Sequence, residues 1–192
     1  MTLDTLILVH YDHPNCTPMC NIVRLPEKEA FALARQLAGQ NKGVAAFHRF
    51  ADFQNYYPLR MRADQLMRQA FISLGGHPVA EHPLSFVLQG SDYLVRWFDK
   101  GPATVIPMNR IPDEAISFTY GDSCSTLLKN GRIELVTKSM LLRHIQSYHG
   151  DIGAFMQAIT DQYHYIEVQI WNDVYCQPDQ TSDDTAGDQK YE

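Results

Sequence analysis

The stretch Pro83–Ser123, PLSFVLQGSDYLVRWFDKGPATVIPMNRIPDEAISFTYGDS, decides the fold class of this chain. It reads as three short strands, Leu84–Leu88, Thr104–Met108 and Ile116–Tyr120. Each is rich in Val, Ile, Phe or Tyr and bounded by turn residues. A short amphipathic helix fits between the first two. Ser91 is its N-cap, Tyr93, Leu94, Trp97 and Phe98 have helical spacing, and Gly101-Pro102 stops it. The stretch ends in Gly121-Asp122-Ser123, a turn from strand into helix whose free backbone N–H groups suit an anion.

Outward from there, the sequence predicts one more strand near each end. Thr5–Asp12, TLILVHYD, is a buried strand that turns polar at its C-terminal end. In Tyr165–Trp171 the residues Ile166, Val168 and Ile170 face one side, while Tyr165, Glu167, Gln169 and Trp171 face the other. Val44–Phe47 and Ile133–Thr137 are further candidate strands. Pro26 opens a helix that Gly39 ends. The clearest helix is Leu59–Leu74, with Leu59, Ala63, Leu66, Met67, Ala70, Phe71 and Leu74 on one face and Gly75-Gly76 closing it. Cys124–Lys129, a helix capped by Ser139 and another capped by Asp151 follow. Short strands among helices of unequal length, with neither a GxGxxG loop nor a P-loop, favour an α+β fold over a doubly wound one. The sheet should be mixed and mostly antiparallel, flanked by helices.

Composition narrows the function classes. At 192 residues the chain fits one domain, expected over residues 1–176, with an acidic, patternless and disordered tail from Gln177. A net charge of −6 gives no general affinity for nucleic acid. No apolar run approaches the roughly 20 residues that span a bilayer. Asp4 and the short apolar run Thr5–Val9 argue against a secretion signal, so a cytoplasmic location with free thiols at Cys16, Cys20, Cys124 and Cys176 is expected.

Candidate chemistry gathers at four places. Glu167 is a carboxylate in mid-strand among aromatic and apolar residues, where it either meets water or stands in a cleft and stabilises a developing cation. His10-Tyr11-Asp12-His13 ends the first strand, where a histidine can donate to a substrate hydroxyl and Asp12 can fix a ring tautomer. With Cys16 and Cys20 this cluster reads HxxHxxCxxxC, but structural zinc spacing pairs two close doublets and no second one follows, so no metal is assigned. Arg49, Arg60, Arg62 and Arg68 make one region basic. They read as a solvated helix face, with the alternative that one or two reach a phosphate. In GDSCS, Ser123 is either a helix cap or an exposed nucleophile, and Cys124 at a helix start would have a lowered pKa.

Two families are resembled. Gly121-Asp122-Ser123 with the DxxH of Asp161 and His164 resembles the GDSL-type serine hydrolases, although here the GDS stands past mid-chain. More of the chain is similar to the DarT-type ADP-ribosyltransferases. The order HYDHPN, HPLSFVLQGSDYL, ISFTYGDS, YIEVQIW follows their HFTH-like loop, YFAPRSPML-like segment, FTDGHA-like strand end and late strand with a catalytic Glu. Gln89-Gly90 replaces the arginine of the second motif. The resemblance implies a split, ADP-ribosyltransferase-like sheet with a cleft between the first and last strands, and NAD as the small-molecule nucleotide bound there. It implies Glu167 and His10 as catalytic residues, and His13, Ser91 and Tyr93 as cofactor-binding residues. The remaining alternative is a non-catalytic binding or interaction module, in which these residues are caps and surface.

Overall fold

Alternation along the strands sorts this chain into an apolar layer and a polar layer. The computed structural model describes residues 5–176, and the expected acidic tail from Gln177 lies outside them. In chain order the elements are β1 (Ile7–Tyr11), α1 (Glu27–Gln40), α2 (His48–Ala51), α3 (Phe53–Ser73), β2 (Leu84–Leu88), α4 (Asp92–Trp97) and β3 (Ala103–Pro107). There follow β4 (Ile116–Tyr120), α5 (Ser123–Asn130), β5 (Val136–Thr137), α6 (Lys138–Ser147), α7 (Ile152–Tyr163) and β6 (Ile166–Ile170). Among the described residues no helix is long and apolar enough to cross a membrane.

The strands form one sheet in the order β3-β1-β2-β6-β4-β5, and every neighbouring pair is antiparallel. The fold is therefore α+β, as expected, and the sheet expected to be mostly antiparallel is antiparallel at every described pairing. The first and last strands are not neighbours. β2 separates them, with Val87 opposite Val9 of β1 and Glu167 of β6. The β1–β2 ladder pairs only Leu8 with Leu88 and Val9 with Val87, whereas β1 pairs with β3 all the way from Ile7 to Tyr11. That ladder is as short as the one between β4 and β5, which pairs Ser117 with Thr137 and Phe118 with Val136.

One face of the sheet is the core. Leu8, Phe86, Leu88, Ile116, Phe118, Ile166, Val168 and Ile170 pack with Leu141 and Ile145 of α6 and Ile152 and Phe155 of α7. The other face carries Ser85, Ser117, Thr119, Glu167 and Gln169, and it lies under α3 and α5. Such a face is tolerated because its polar atoms bond one another. Trp171 Nε1 donates to Ser117 Oγ at 2.8 Å, Ser117 Oγ to Gln169 Oε1 at 2.9 Å, and Gln169 Nε2 to Thr119 Oγ1 at 3.1 Å.

Three local readings change. Val44–Phe47 contains a 3-10 turn at Ala45–Phe47, and Ile133–Thr137 yields only the two-residue β5. Thr137, not Ser139, caps α6, accepting from the Met140 N–H. α3 begins at Phe53 and runs through Pro58, a residue that normally marks a boundary. Phe53, Tyr56 and Tyr57 around that proline pack with Phe31 of α1 and Phe50 of α2, which holds the first turns in place. The buried stripe of α3 is Arg60, Ala63, Asp64, Met67 and Phe71, while Leu66 is half-buried and Leu74 is exposed.

Candidate functional site

Glu167 sits at the centre of the polar face, opposite Val87 of β2 and Thr119 of β4, and is 4% exposed. A carboxylate this buried needs donors. The backbone N–H of Ser123, at the start of α5, donates to Oε2 at 2.7 Å. Ser85 Oγ donates to Oε1 at 3.2 Å, and Arg60 Nη1 reaches Oε1 at 3.4 Å. Thr119 Oγ1 stands 3.5 Å from Oε2. A negative charge at the first turn of a helix is also favoured by the helix dipole.

Arg60 carries this site further into α3. Its Nη1 also lies 3.4 Å from Ser123 Oγ. Its Nη2 is 2.5 Å from Asp64 Oδ1, one turn along the helix, a close ion pair. Burial works against the Arg60 charge, and Asp64 and Glu167 more than reverse that, keeping the guanidinium ionised well above the ordinary range. Asp64 Oδ2 accepts from His82 Nδ1 at 2.8 Å.

A second charged pair stands at the rim. Arg49 of α2 grips Asp122 with two bonds, 2.9 and 3.1 Å, and lies over the Tyr56 ring. Asp122 also caps α5, accepting from the Ser125 N–H at 2.7 Å, and the Tyr165 hydroxyl donates to it at 3.4 Å. Burial raises the Asp122 carboxyl, but the Arg49 charge and the bonds from Arg49 and Ser125 outweigh it and hold it below the usual carboxylate range. Burial pushes the Tyr56 hydroxyl up to about 12.

Between these pairs lies a cavity of about 720 Å³, within the size range of small-molecule sites. Glu167, Ser85 and Arg60 belong to its lining. One wall is an aromatic run. Tyr93, 38% exposed, has its ring centre 5.8 Å from Trp97, 5.2 Å from His164 and 6.3 Å from Tyr165, with interplanar angles of 28°, 10° and 24°.

The structure brings Glu167, Tyr93 and, at its border, His10 to this one cleft, but not His13 or Ser91. His10 borders the cavity, yet alternation places it on the core face of β1, against Phe86 at 5.2 Å. Where the β1–β2 ladder stops, its Nδ1 meets Ser85 O at 2.6 Å, and its Nε2 meets Asp12 Oδ1 at 3.1 Å. Both ring nitrogens are thus committed within the protein, against the expected contact with a substrate hydroxyl. His13 is buried edge-on to Phe47 with its Nδ1 accepting from the Asn15 N–H, outside the cleft lining. Ser91 also lies outside the lining. Its hydroxyl caps α4, and its N–H donates to the Tyr11 hydroxyl, a contact made possible by the positive φ of 78° at Gly90.

The GDS–DxxH set is not assembled either. Ser123 is fully buried beneath Arg60 as the first residue of α5, and Asp122 is the cap. His164 stacks on Tyr93, and the exposed Asp161 accepts from Gln157. Among the described residues no hydrogen bond joins Ser123 to His164. Burial pushes the Cys124 thiol up to about 12, the reverse of an activated helix-start cysteine.

Sequence reasoning missed Asp64 and His82 as site residues, and read Arg60 first as part of a solvated helix face. The available signal was the pair Arg60 and Asp64 at i and i+4 on the face shared with Ala63 and Met67, which marks both charges as buried together. Comparison with protein-family models, with curated proteins and with solved structures finds no match to the chain.

Proposed function

We propose that the cleft binds NAD and that the protein is an ADP-ribosyltransferase-like enzyme acting through Glu167. The observation that carries this reading is the Glu167 carboxylate, fixed by the Ser123 N–H, Ser85 Oγ and Arg60, in the lining of a ligand-sized cavity walled by Tyr93, Tyr165 and His164. NAD supplies a ribose carbon whose bond to nicotinamide breaks with the electron pair passing to the ring nitrogen, leaving positive charge on the ribose, which an acceptor nucleophile, or water when none is present, captures with loss of a proton.

Glu167 stabilises that charge, and its own donors prevent reorganisation at the moment of cleavage. Tyr93, the exposed ring of the aromatic run, stacks on the nicotinamide. Arg60, in the cavity lining beside Glu167, supplies a cation for the phosphates of the nucleotide. The cleft lies over β2 and β6 rather than between adjacent first and last strands.

Calorimetric titration with NAD tests binding. The wild-type chain should give saturable heat, and Tyr93→Ala should weaken the affinity by roughly tenfold, as loss of one aromatic stack does. No heat at millimolar NAD contradicts the reading and favours the interaction module.

A further inference from the structure

We infer that Asp64 and His82 are positioning residues for the cleft, holding Arg60 and, through it, the orientation of Glu167. The inference rests on the proposed role of Glu167. Its structural part can be measured without NAD.

The four groups form a line through the protein. His82 Nδ1 donates to Asp64 Oδ2 at 2.8 Å, Asp64 Oδ1 meets Arg60 Nη2 at 2.5 Å, and Arg60 Nη1 meets Glu167 Oε1 at 3.4 Å. The side chains of Asp64, Glu167, Arg60 and His82 are 0%, 6%, 8% and 9% exposed, so water screens none of these contacts well. The distances are unequal, and that inequality is the substance of the inference. Arg60 is anchored on Asp64 and only reaches toward Glu167.

A guanidinium is a rigid fork on a long flexible stem, and its strongest carboxylate partner decides where it rests. With Asp64 neutralised, Glu167 is the carboxylate left on Arg60 among the described residues. The guanidinium should then swing to it and form a close pair, which would spend the negative charge that transition-state stabilisation requires. Asp64 therefore competes for Arg60 and keeps the pair with Glu167 loose.

His82 fixes the competitor. Its hydrogen bond occupies the second Asp64 oxygen and so prevents the carboxylate from turning. The His82 backbone is itself tied down, because its carbonyl accepts from Arg24 Nε at 2.7 Å, and Arg24 is paired with Asp173. His82 belongs to the lining of a second cavity of about 1070 Å³ with Arg62, Arg68, Glu27 and Glu81, so the line of contacts spans α3 from one cavity to the other.

The experiment compares Asp64→Asn, His82→Ala and His82→Asn in the full chain. Asparagine puts an N–H close to where His82 Nδ1 stands, so it restores the contact that alanine removes. The NAD-free readout is the carboxyl carbon resonance of Glu167 in 13C-glutamate-labelled protein, assigned with Glu167→Gln. The functional readout is nicotinamide release at saturating NAD, alongside NAD affinity by calorimetry.

Asp64→Asn and His82→Ala should shift the Glu167 resonance and lower the rate by about 10–100-fold with affinity little changed, as a misplaced catalytic group does. His82→Asn should keep both near wild type. An unmoved resonance in folded Asp64→Asn or His82→Ala overturns the inference, as does equal behaviour of His82→Ala and His82→Asn. If Asp64→Asn does not fold, the two His82 variants decide alone. If wild type neither binds nor cleaves NAD, the proposed function fails while the resonance still decides the positioning.

Discussion

Arg60 Nη1 on α3 lies 3.4 Å from Glu167 Oε1 on β6, across 107 residues of sequence, with Ser123 Oγ also 3.4 Å away. The contact ties the helix over the polar face to the strand at its centre and places a cation and a carboxylate together out of water. Arg60 faces two buried carboxylates, because Asp64 holds its other nitrogen.

Removing the cation should therefore cost more than removing one carboxylate charge. Arg60→Ala leaves Asp64 and Glu167 without their guanidinium and should destabilise by roughly 3–5 kcal/mol. Glu167→Gln keeps the Arg60–Asp64 pair and a side chain of similar shape, and should cost less than about 2 kcal/mol. Urea titrations of both variants check the order. An Arg60→Ala cost no larger than that of Glu167→Gln would mean that Arg60 is not the charge that balances this cluster.

Asp122 sets a pH dependence whose sign follows from its lowered pKa. Its folded carboxyl binds a proton less readily than its unfolded one. The resulting stability is complete above the unfolded carboxylate value of about 3.9 and is lost as pH falls through the folded value. Asp122→Asn retains a capping side chain and loses the Arg49 pair, which is partly exposed. Near neutral pH it should cost only about 0.5–1 kcal/mol. Thermal melts from neutral to acidic pH should show a shallower acid loss in Asp122→Asn than in wild type. Identical slopes would contradict the pairing.

Thiol reactivity follows burial. Cys20 is exposed, whereas burial pushes the Cys124 and Cys176 thiols up to about 12. Iodoacetamide at neutral pH should label Cys20 in the native chain and should reach Cys124 and Cys176 only after denaturation. Rapid native labelling of Cys124 would restore the activated-thiol reading of the GDSCS turn.

The strands over Pro83–Ser123 were legible because β-branched and aromatic runs between turn residues report directly on a pleated surface. Leu84–Leu88 and Ile116–Tyr120 match residue for residue. The alternation at Ile166, Glu167 and Val168 also showed which face of β6 carries the carboxylate. Strand order was not legible, since nothing local to β1 or β6 shows that β2 intervenes. His10 was misplaced for a related reason. One residue along a strand reverses the face, so Val9 and Tyr11 lie on the polar side of β1 while His10 lies on the core side and meets the cavity only at its border. Arg60 and Asp64 were hidden because apolar periodicity treats charge as a mark of solvent, which fails where opposite charges are buried as a pair.

The same error in α3 yields a packing test. Phe71 is 1% exposed and stacks on Trp171 at 5.9 Å, whereas Leu66 is only half-buried. Phe71→Ala should cost roughly 3–5 kcal/mol, as loss of a core aromatic does. Leu66→Ala should stay below about 2 kcal/mol, because part of its surface is already in water. Denaturant midpoints measure both. A Leu66→Ala cost equal to that of Phe71→Ala would place the buried stripe of α3 on the face first expected from its leucines.

The claim that Glu167 acts on bound NAD is tested most directly by nicotinamide release from wild type and Glu167→Gln at saturating NAD, with the affinity of each measured in parallel. The carboxylate contributes charge where the ribose becomes positive, and the glutamine keeps the shape without the charge. The account predicts slow release by wild type, a rate lower by roughly 10²–10³ in Glu167→Gln, and an affinity changed little. Release by Glu167→Gln at the wild-type rate, or no release by a wild-type chain shown to bind NAD, would contradict it.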